Sequence, residues 1–358
     1  MEVSSAFVDR RQKRRCDYDA DQRALYFSRT MVLGERGCSY ILTGSSHINS
    51  ACWIGTVASK DKNDFSSLLS IQVFKEDPTM RGTIWREVRA LSAIETKSSD
   101  ETLIPRLIDQ GTTKRGFKFA ITTFTGKPLA IVLRQFPAPL KPQSALRIAL
   151  CVTRALAFVH AAGYVHGNIS AYSVLTGNGL SSDNGNIRLG GFYYSSPKGS
   201  SEKISYPLNI YTSLAVHQKK QATAATDLEG LVYFAYHLFV GLPWGGTKQL
   251  KKMVAAKEKF FDEMDDRKKW EKVPPSLRSL VQKLKKGKTV DLVALETDLL
   301  PGKTDEKVLF EWEMTKMSEN LNKPTQVVSG SFYEKSRIKK EDRKERIKQL
   351  QKAVGPDG

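Results

Sequence analysis

The chain has 358 residues, of which 40% are hydrophobic, and that length exceeds a typical single domain. Its 56 Lys and Arg against 38 Asp and Glu give a formal net charge of +18, a balance that favours anionic partners. No run of about 18 apolar residues and no charged-then-apolar N-terminus is present, which predicts neither a membrane span nor secretion; four scattered cysteines, Cys16, Cys38, Cys52 and Cys151, predict a reducing compartment and no metal site.

Residues 1–25 read as a basic segment, with RRQKRR at 10–15 as a nuclear-targeting or nucleic-acid patch. Residues 68–74 (LLSIQVF) have the β-branched composition of a strand. Residues 144–163 (SALRIALCVTRALAFVHAAG) place Leu146, Leu150, Thr153, Leu156 and His160 at helical spacing, as in a buried helix, and Gly163 ends it. A loop follows at 164–175 (YVHGNISAYSVL), then a strand-like run at 186–194 (NIRLGGFYY). Residues 248–288 carry KQLKKM and KKGK, expected on the surface. Residues 335–352 form a basic helical tail whose thin apolar stripe, Ile347, Leu350 and Val354, is marginal alone and is expected to dock on something.

The loop at 164–175 carries most of the functional information. A protein-kinase catalytic loop reads H-R-D-x-K-x-x-N, in which the Asp accepts the substrate proton and the Asn holds magnesium. The frame here gives His166, Gly167, Asn168, Ile169, Ser170 and Ser173. An amide has a donor and an acceptor but no titratable site, so Asn168 cannot act as a base near pH 7. At 186–194 the D-F-G frame gives Gly191, Phe192 and Tyr193, with glycine where a metal-binding Asp would stand. Residues 210–231 and 242–244 hold TSL, His217, DLE and Leu242-Pro243-Trp244. This combination resembles the casein-kinase-like superfamily, and within it the vaccinia-related kinases, with Ala215 and Ala224-Ala225 where active members carry an Asp and an Arg pair. The family's inactive branch carries H-G-N and a glycine at the metal position, and the chain resembles that branch.

The resemblance extends over about residues 26–300. It implies an α+β, bilobal protein-kinase-like fold: a β-rich N-lobe with one regulatory helix at 26–125, a mainly helical C-lobe at 126–305, and a basic tail at 306–358. Residues 31–42 (MVLGERGCSYIL) resemble the family's phosphate loop through Gly34, Arg36, Gly37, Cys38, Ser39 and Ile41. Arg36 and Ser39 replace two glycines there, and a Cβ obstructs the approach of backbone amides to phosphate. Arg36 would fill the phosphate space or pair with an anion. Gln72 falls at the Lys of the V-A-I-K strand. Lys75 is a substitute only in name, because period-2 alternation puts it on the opposite face. Residues 85–94 resemble the regulatory helix, with Glu87 where the family's Glu pairs with that Lys; a Glu87–Gln72 hydrogen bond can form, a charge-assisted pair cannot. His166, Asp227 and Trp244 are expected to be structural. Asp183 is read as a solvated turn acid, and no motif surrounds Asp109 or Glu202.

With Gln72, Asn168, Ser170, Ser173 and Gly191 in place of the reactive and metal-holding groups, the chain is expected to be a catalytically inactive pseudokinase without a cofactor. It would act as a scaffold or regulator that binds proteins through the C-lobe and tails, and nucleic acid or another polyanion through its basic patches. Loss of a general base alone forfeits about 10²–10⁴ in rate. The alternatives are a residual Ser/Thr kinase using Lys75 or Arg36, and a structural component on chromatin, RNA or a microtubule. A nuclear location is expected ahead of a cytoplasmic one.

Overall fold

The computed structural model describes residues 31–49, 52–59, 69–74, 83–96, 103–113, 116–123, 126–177, 187–247, 249–263, 266–288, 290–299 and 310–313. In the smaller lobe, strands β1 (Met31–Leu33), β2 (Ser39–Asn49), β3 (Cys52–Ser59), β4 (Leu69–Phe74), β5 (Leu107–Thr112) and β6 (Lys118–Thr123) form one antiparallel sheet in the order β1-β2-β3-β4-β6-β5. Alternation along β4 sends Ile71 and Val73 to one face and Ser70 and Gln72 to the other. The first face joins Tyr40, Val57, Phe119 and Ile121 in a core, with Cys38, Leu69, Ile108 and Phe117 packed around it. The sheet rolls until β1 and β5 approach, where the Glu35 amide donates to the Gln110 carbonyl at 2.8 Å. Helix α1 (Thr83–Glu95) buries Ile84, Val88, Leu91 and Ile94, the 3.6-residue stripe of an amphipathic helix, and exposes Trp85 and Arg89.

The larger lobe is mainly helical. Strand β7 (Lys127–Pro128) and short helix α2 (Leu129–Val132) lead to helix α3 (Pro142–Ala161), which starts with proline in its first turn, a position where the missing N–H has no cost. Its buried stripe runs through Ala145, Ile148, Ala149, Val152, Ala155, Leu156 and Val159, while Leu146 and His160 are half-buried at its margin. By length and mean hydropathy, 1.4, α3 could cross a bilayer, although 56% of the qualifying window is buried inside the protein. Strands β8 (Tyr164–Val165), β9 (Val174–Thr176), β10 (Ile187–Leu189) and β11 (Ser196–Pro197) follow, in the small sheets β10-β9-β7 and β11-β8. Among the described residues of 186–194, the expected strand is confined to Ile187–Leu189. Gly191 takes a left-handed φ of 74° and the chain turns into a 3-10 segment, Phe192–Tyr194, which cannot continue a ladder.

Among the described residues this lobe has six further helices: α4 (Leu214–His217), α5 (Ala224–Phe239), α6 (Leu250–Asp262), α7 (Arg267–Trp270), α8 (Pro275–Lys285) and α9 (Leu292–Leu299). Helix α5 opens with a capping box in which Thr223 and Thr226 exchange side-chain to backbone hydrogen bonds. Below it, Tyr233, Tyr236, Trp244, Phe260 and Trp270 stack mostly edge to face, with ring centroids 4.9–5.7 Å apart. Trp244 is buried in this cluster and donates its indole N–H to the Ile210 carbonyl at 2.8 Å.

Candidate functional site

The loop after α3 is held by one carboxylate. Asp227, in the first turn of α5, accepts the backbone amides of His166 at 2.7 Å and Gly167 at 2.8 Å, together with His160 Nε2 at 3.0 Å. Charge-assisted bonds to a buried oxygen are among the strong ones, so this acid fixes backbone rather than reacting. His166 is fully buried. Its Nε2 faces the Gly190 carbonyl at 3.0 Å and its Nδ1 accepts the Asn168 amide at 3.2 Å, which assigns the neutral ring with the proton on Nε2. Burial pushes its pKa down, against the opposing pull of Asp227. Its ring meets Phe192 edge-on at 4.9 Å, tying the loop to the segment after β10.

Asn168 is half-buried, and its Oδ1 accepts from Asn209 Nδ2 at 3.2 Å. It lines a cavity of about 20 Å³ with Gly167, Tyr211, Thr212 and Thr226, room for one water molecule. Ser170 and Ser173 face one another: the Ser170 amide donates to Ser173 Oγ at 2.9 Å, and the Ser173 amide to Ser170 Oγ at 3.3 Å. Ser173 Oγ also donates to the Ser170 carbonyl at 3.0 Å, so both hydroxyls close their own turn. A Cβ at Gly191 would lie 3.2 Å from the Tyr193 hydroxyl and 3.3 Å from the Ser173 Cβ. The aromatic hydroxyl therefore borders the place where a metal-binding side chain would project.

Across the cleft, Gln72 Nε2 donates to Glu87 Oε1 at 3.1 Å. Both residues are buried, at 8% and 1% exposure. Burial raises the Glu87 pKa to about 8, while the Gln72 amide and the Phe192 backbone amide act in the opposite sense.

The turn at Gly34–Ser39 requires a correction. Four of its amides have internal partners: Gly34 donates to the Cys38 carbonyl, Glu35 to the Gln110 carbonyl, Arg36 to the Asp109 carboxylate at 3.2 Å, and Gly37 to the Gly34 carbonyl. Asp109, only 1% exposed, also accepts from the Tyr40 hydroxyl at 3.1 Å. Glycine at 34 is needed because a Cβ there would sit 1.9 Å from Asp109 Oδ2, and Gly37 has a φ of 80°. Arg36 is exposed and fills no pocket. In a kinase the Lys stands on the third strand of the lobe; here Gln72 is on the fourth, and the turn packs against β5 at the far edge of the sheet. The expected phosphate loop is thus a turn in which the Gly34, Glu35, Arg36 and Gly37 amides are already engaged within the protein.

Two contacts escaped the sequence reading. Lys257 on α6 is fully buried, donating to the carbonyls of Thr212 at 2.6 Å and Asn209 at 3.3 Å and meeting His217 Nε2 at 3.0 Å. Burial lowers its pKa to about 7, and burial together with Lys257 lowers that of His217 to about 4. The available signal was its position: Met253, Lys257 and Phe260 share the buried face at i, i+4 and i+7. The second contact joins Arg86 on α1 to Glu202 at 2.6 Å. Lys75, Asp183, the N-terminal segment and, apart from residues 310–313, the C-terminal tail lie outside the described residues. Of the other basic runs, Lys251, Lys252, Lys283, Lys286 and Lys288 are exposed on or beside α6 and α8, as expected of them.

No protein-family model and no curated protein matches the chain. Among solved structures it is similar to that described as "Structure of vaccinia related kinase 3", over 78% of this chain and 94% of that one, with a TM-score of 0.59 and 17% sequence identity. A likeness at that identity speaks for architecture alone, and it agrees with the rolled sheet, the single helix against it and the helical lobe below: the chain has a protein-kinase-like fold.

Proposed function

We propose that this protein is a pseudokinase that serves as a scaffold or regulator. The observation that carries the reading is Asn168, which stands at the proton-acceptor position with its amide oxygen engaged by Asn209. Phosphoryl transfer depends on charge neutralisation and positioning by a strand Lys, two metal ligands and a base. Gln72, Gly191, Ser173 and Asn168 provide none of these, and the residues do not fit a magnesium nucleotide.

The test is a thermal shift with ATP, with and without magnesium, alongside transfer of labelled phosphate to generic protein substrates. A ligand at about a hundredfold excess over its Kd stabilises by about 2.7 kcal/mol, so a binder is easily seen. No shift and no transfer are expected. Phosphate transfer that disappears in Asn168→Ala would overturn the reading.

The exposed lysines of α6 and α8 favour a second role compatible with the first, adhesion to a polyanion. No base-reading motif accompanies them, so binding should be driven by phosphates and fall steeply with salt. Retention on duplex DNA or RNA that is unchanged between 50 and 200 mM salt, roughly the range over which phosphate contacts weaken, would remove this role.

A further inference from the structure

The contact between α1 and β4 contains an unresolved hydrogen-bond count. Gln72 Nε2 donates to Glu87 Oε1 at 3.1 Å, which satisfies one atom on each side. The two remaining atoms, Gln72 Oε1 and Glu87 Oε2, are both buried, and among the described residues neither has a partner. Two acceptors cannot satisfy each other, and a buried acceptor without a donor is destabilising. One hydrogen placed on the carboxyl changes this: Oε2–H becomes a donor, and the amide oxygen of the same bonded pair lacks one. The amide and the acid then form a closed ring of two hydrogen bonds, N–H to carboxyl oxygen and carboxyl O–H to amide oxygen.

We propose that Glu87 carries its proton at neutral pH and donates it to Gln72 Oε1, so that a neutral acid–amide clasp holds α1 to β4. A kinase places a Lys–Glu ion pair at this position. Here the single ligand of the site is a proton.

The surroundings agree. On α1 itself, Arg86 is engaged by Glu202 and Arg89 points to solvent. On β6, Lys118 bonds Thr112 Oγ1 and lies over the Trp85 ring. Asp109 of β5 is turned into the sheet core toward Tyr40. Asp227, His160 and His166 below form their own closed set. From the 3-10 segment, only the Phe192 amide acts on the carboxyl, and Oε2 still has no partner. Among the described residues no cation faces Glu87, and burial accordingly lifts its pKa to about 8.

The sign of the pH effect follows. A carboxyl that stays protonated in the fold but ionises in the unfolded chain makes the fold less stable as pH rises, from the ordinary value of 4.5 up to about 8. The clasp would loosen in mildly alkaline conditions and tighten in acid, independently of nucleotide and of whether the chain transfers phosphate.

The experiment is carbon NMR of the full chain labelled at glutamate carboxyl carbons, with the Glu87 signal assigned by its loss in Glu87→Gln. The expected midpoint is above pH 7, and Gln72→Lys should lower it by at least about two pH units by restoring an ion pair. Glu87→Gln, which can make the same ring as an amide pair, should melt at a temperature equal to or above that of the native chain at pH 8.5, with the difference shrinking toward pH 5. A midpoint below pH 7 in the native chain overturns the proposal. So does a Lys75→Ala variant whose midpoint moves upward, since that would identify Lys75 as a charged partner.

Discussion

At the scale of single residues, the strongest expectations attach to buried charges with several partners. Asp227 supports two loop amides and His160 at once. Asp227→Ala leaves those donors buried and should destabilise the fold by about 3 kcal/mol, measured by urea denaturation. Lys257→Met removes the donor from the Thr212 and Asn209 carbonyls and should cost about 2–4 kcal/mol. Lys257 also has a pH signature. Its pKa is about 7 in the fold against 10.5 ordinarily, so the folded chain binds fewer protons between those values and stability rises with pH across that window. Comparison of the native chain with Lys257→Met at pH 7 and pH 10 should show the native chain gaining ground at the higher pH. An equal difference at both would mean that Lys257 stays charged.

At the scale of elements, α1 is attached at two independent places, through Glu87 to β4 and through Arg86 to the stretch between β11 and α4. Kinases often order that stretch by phosphorylation, which creates a pair between an Arg and the new phosphate. Here the carboxylate of Glu202 is already encoded. The pair is partly exposed, at 14% and 40%, so a double-mutant cycle of Arg86→Ala and Glu202→Ala should give a coupling of only about 0.5–1 kcal/mol. Amides at 198–206 should nevertheless exchange faster in Glu202→Ala. Elements also show where sequence reading succeeded and where it could not. Helix α3 was legible because its apolar stripe is local and long, and the loop at 164–175 because its informative residues are consecutive. The Gly34–Ser39 turn is less legible, since its glycine spacing fits two geometries. Which one forms is decided by Asp109, over 70 positions away in the chain, and by a strand order that no local pattern encodes. Lys257 was passed over because a lysine in a basic run reads as surface, and only the arrangement of Met253 and Phe260 marks it as internal.

At the scale of the whole molecule, a protein-kinase-like fold surrounds groups already engaged with one another: the serine turn closes on its own backbone, Gln72 bonds Glu87, and the Gly34, Glu35, Arg36 and Gly37 amides are held within the sheet. Reversal of a single position should therefore not restore chemistry. Asn168→Asp alone is expected to show no phosphate transfer above background, since the effects of residues acting as a unit are far from additive. Gly191→Asp should in addition destabilise the fold by about 1 kcal/mol, because a side chain at a φ of 74° is strained and meets the Tyr193 hydroxyl. Transfer by the Asn168→Asp variant would show that another group already holds the metal.

The ammonium of Lys257 lies 5.7 Å from the centroid of the Trp244 ring and 5.0 Å from that of Tyr233. A positive charge against the face of an indole perturbs its excited state, and here that charge is gained or lost near pH 7. The protein thus contains an intrinsic optical reporter: the emission of Trp244 should follow the protonation of one amine, and the difference between fluorescence titrations of the native chain and of Trp244→Phe would read the interior of the larger lobe without any added dye.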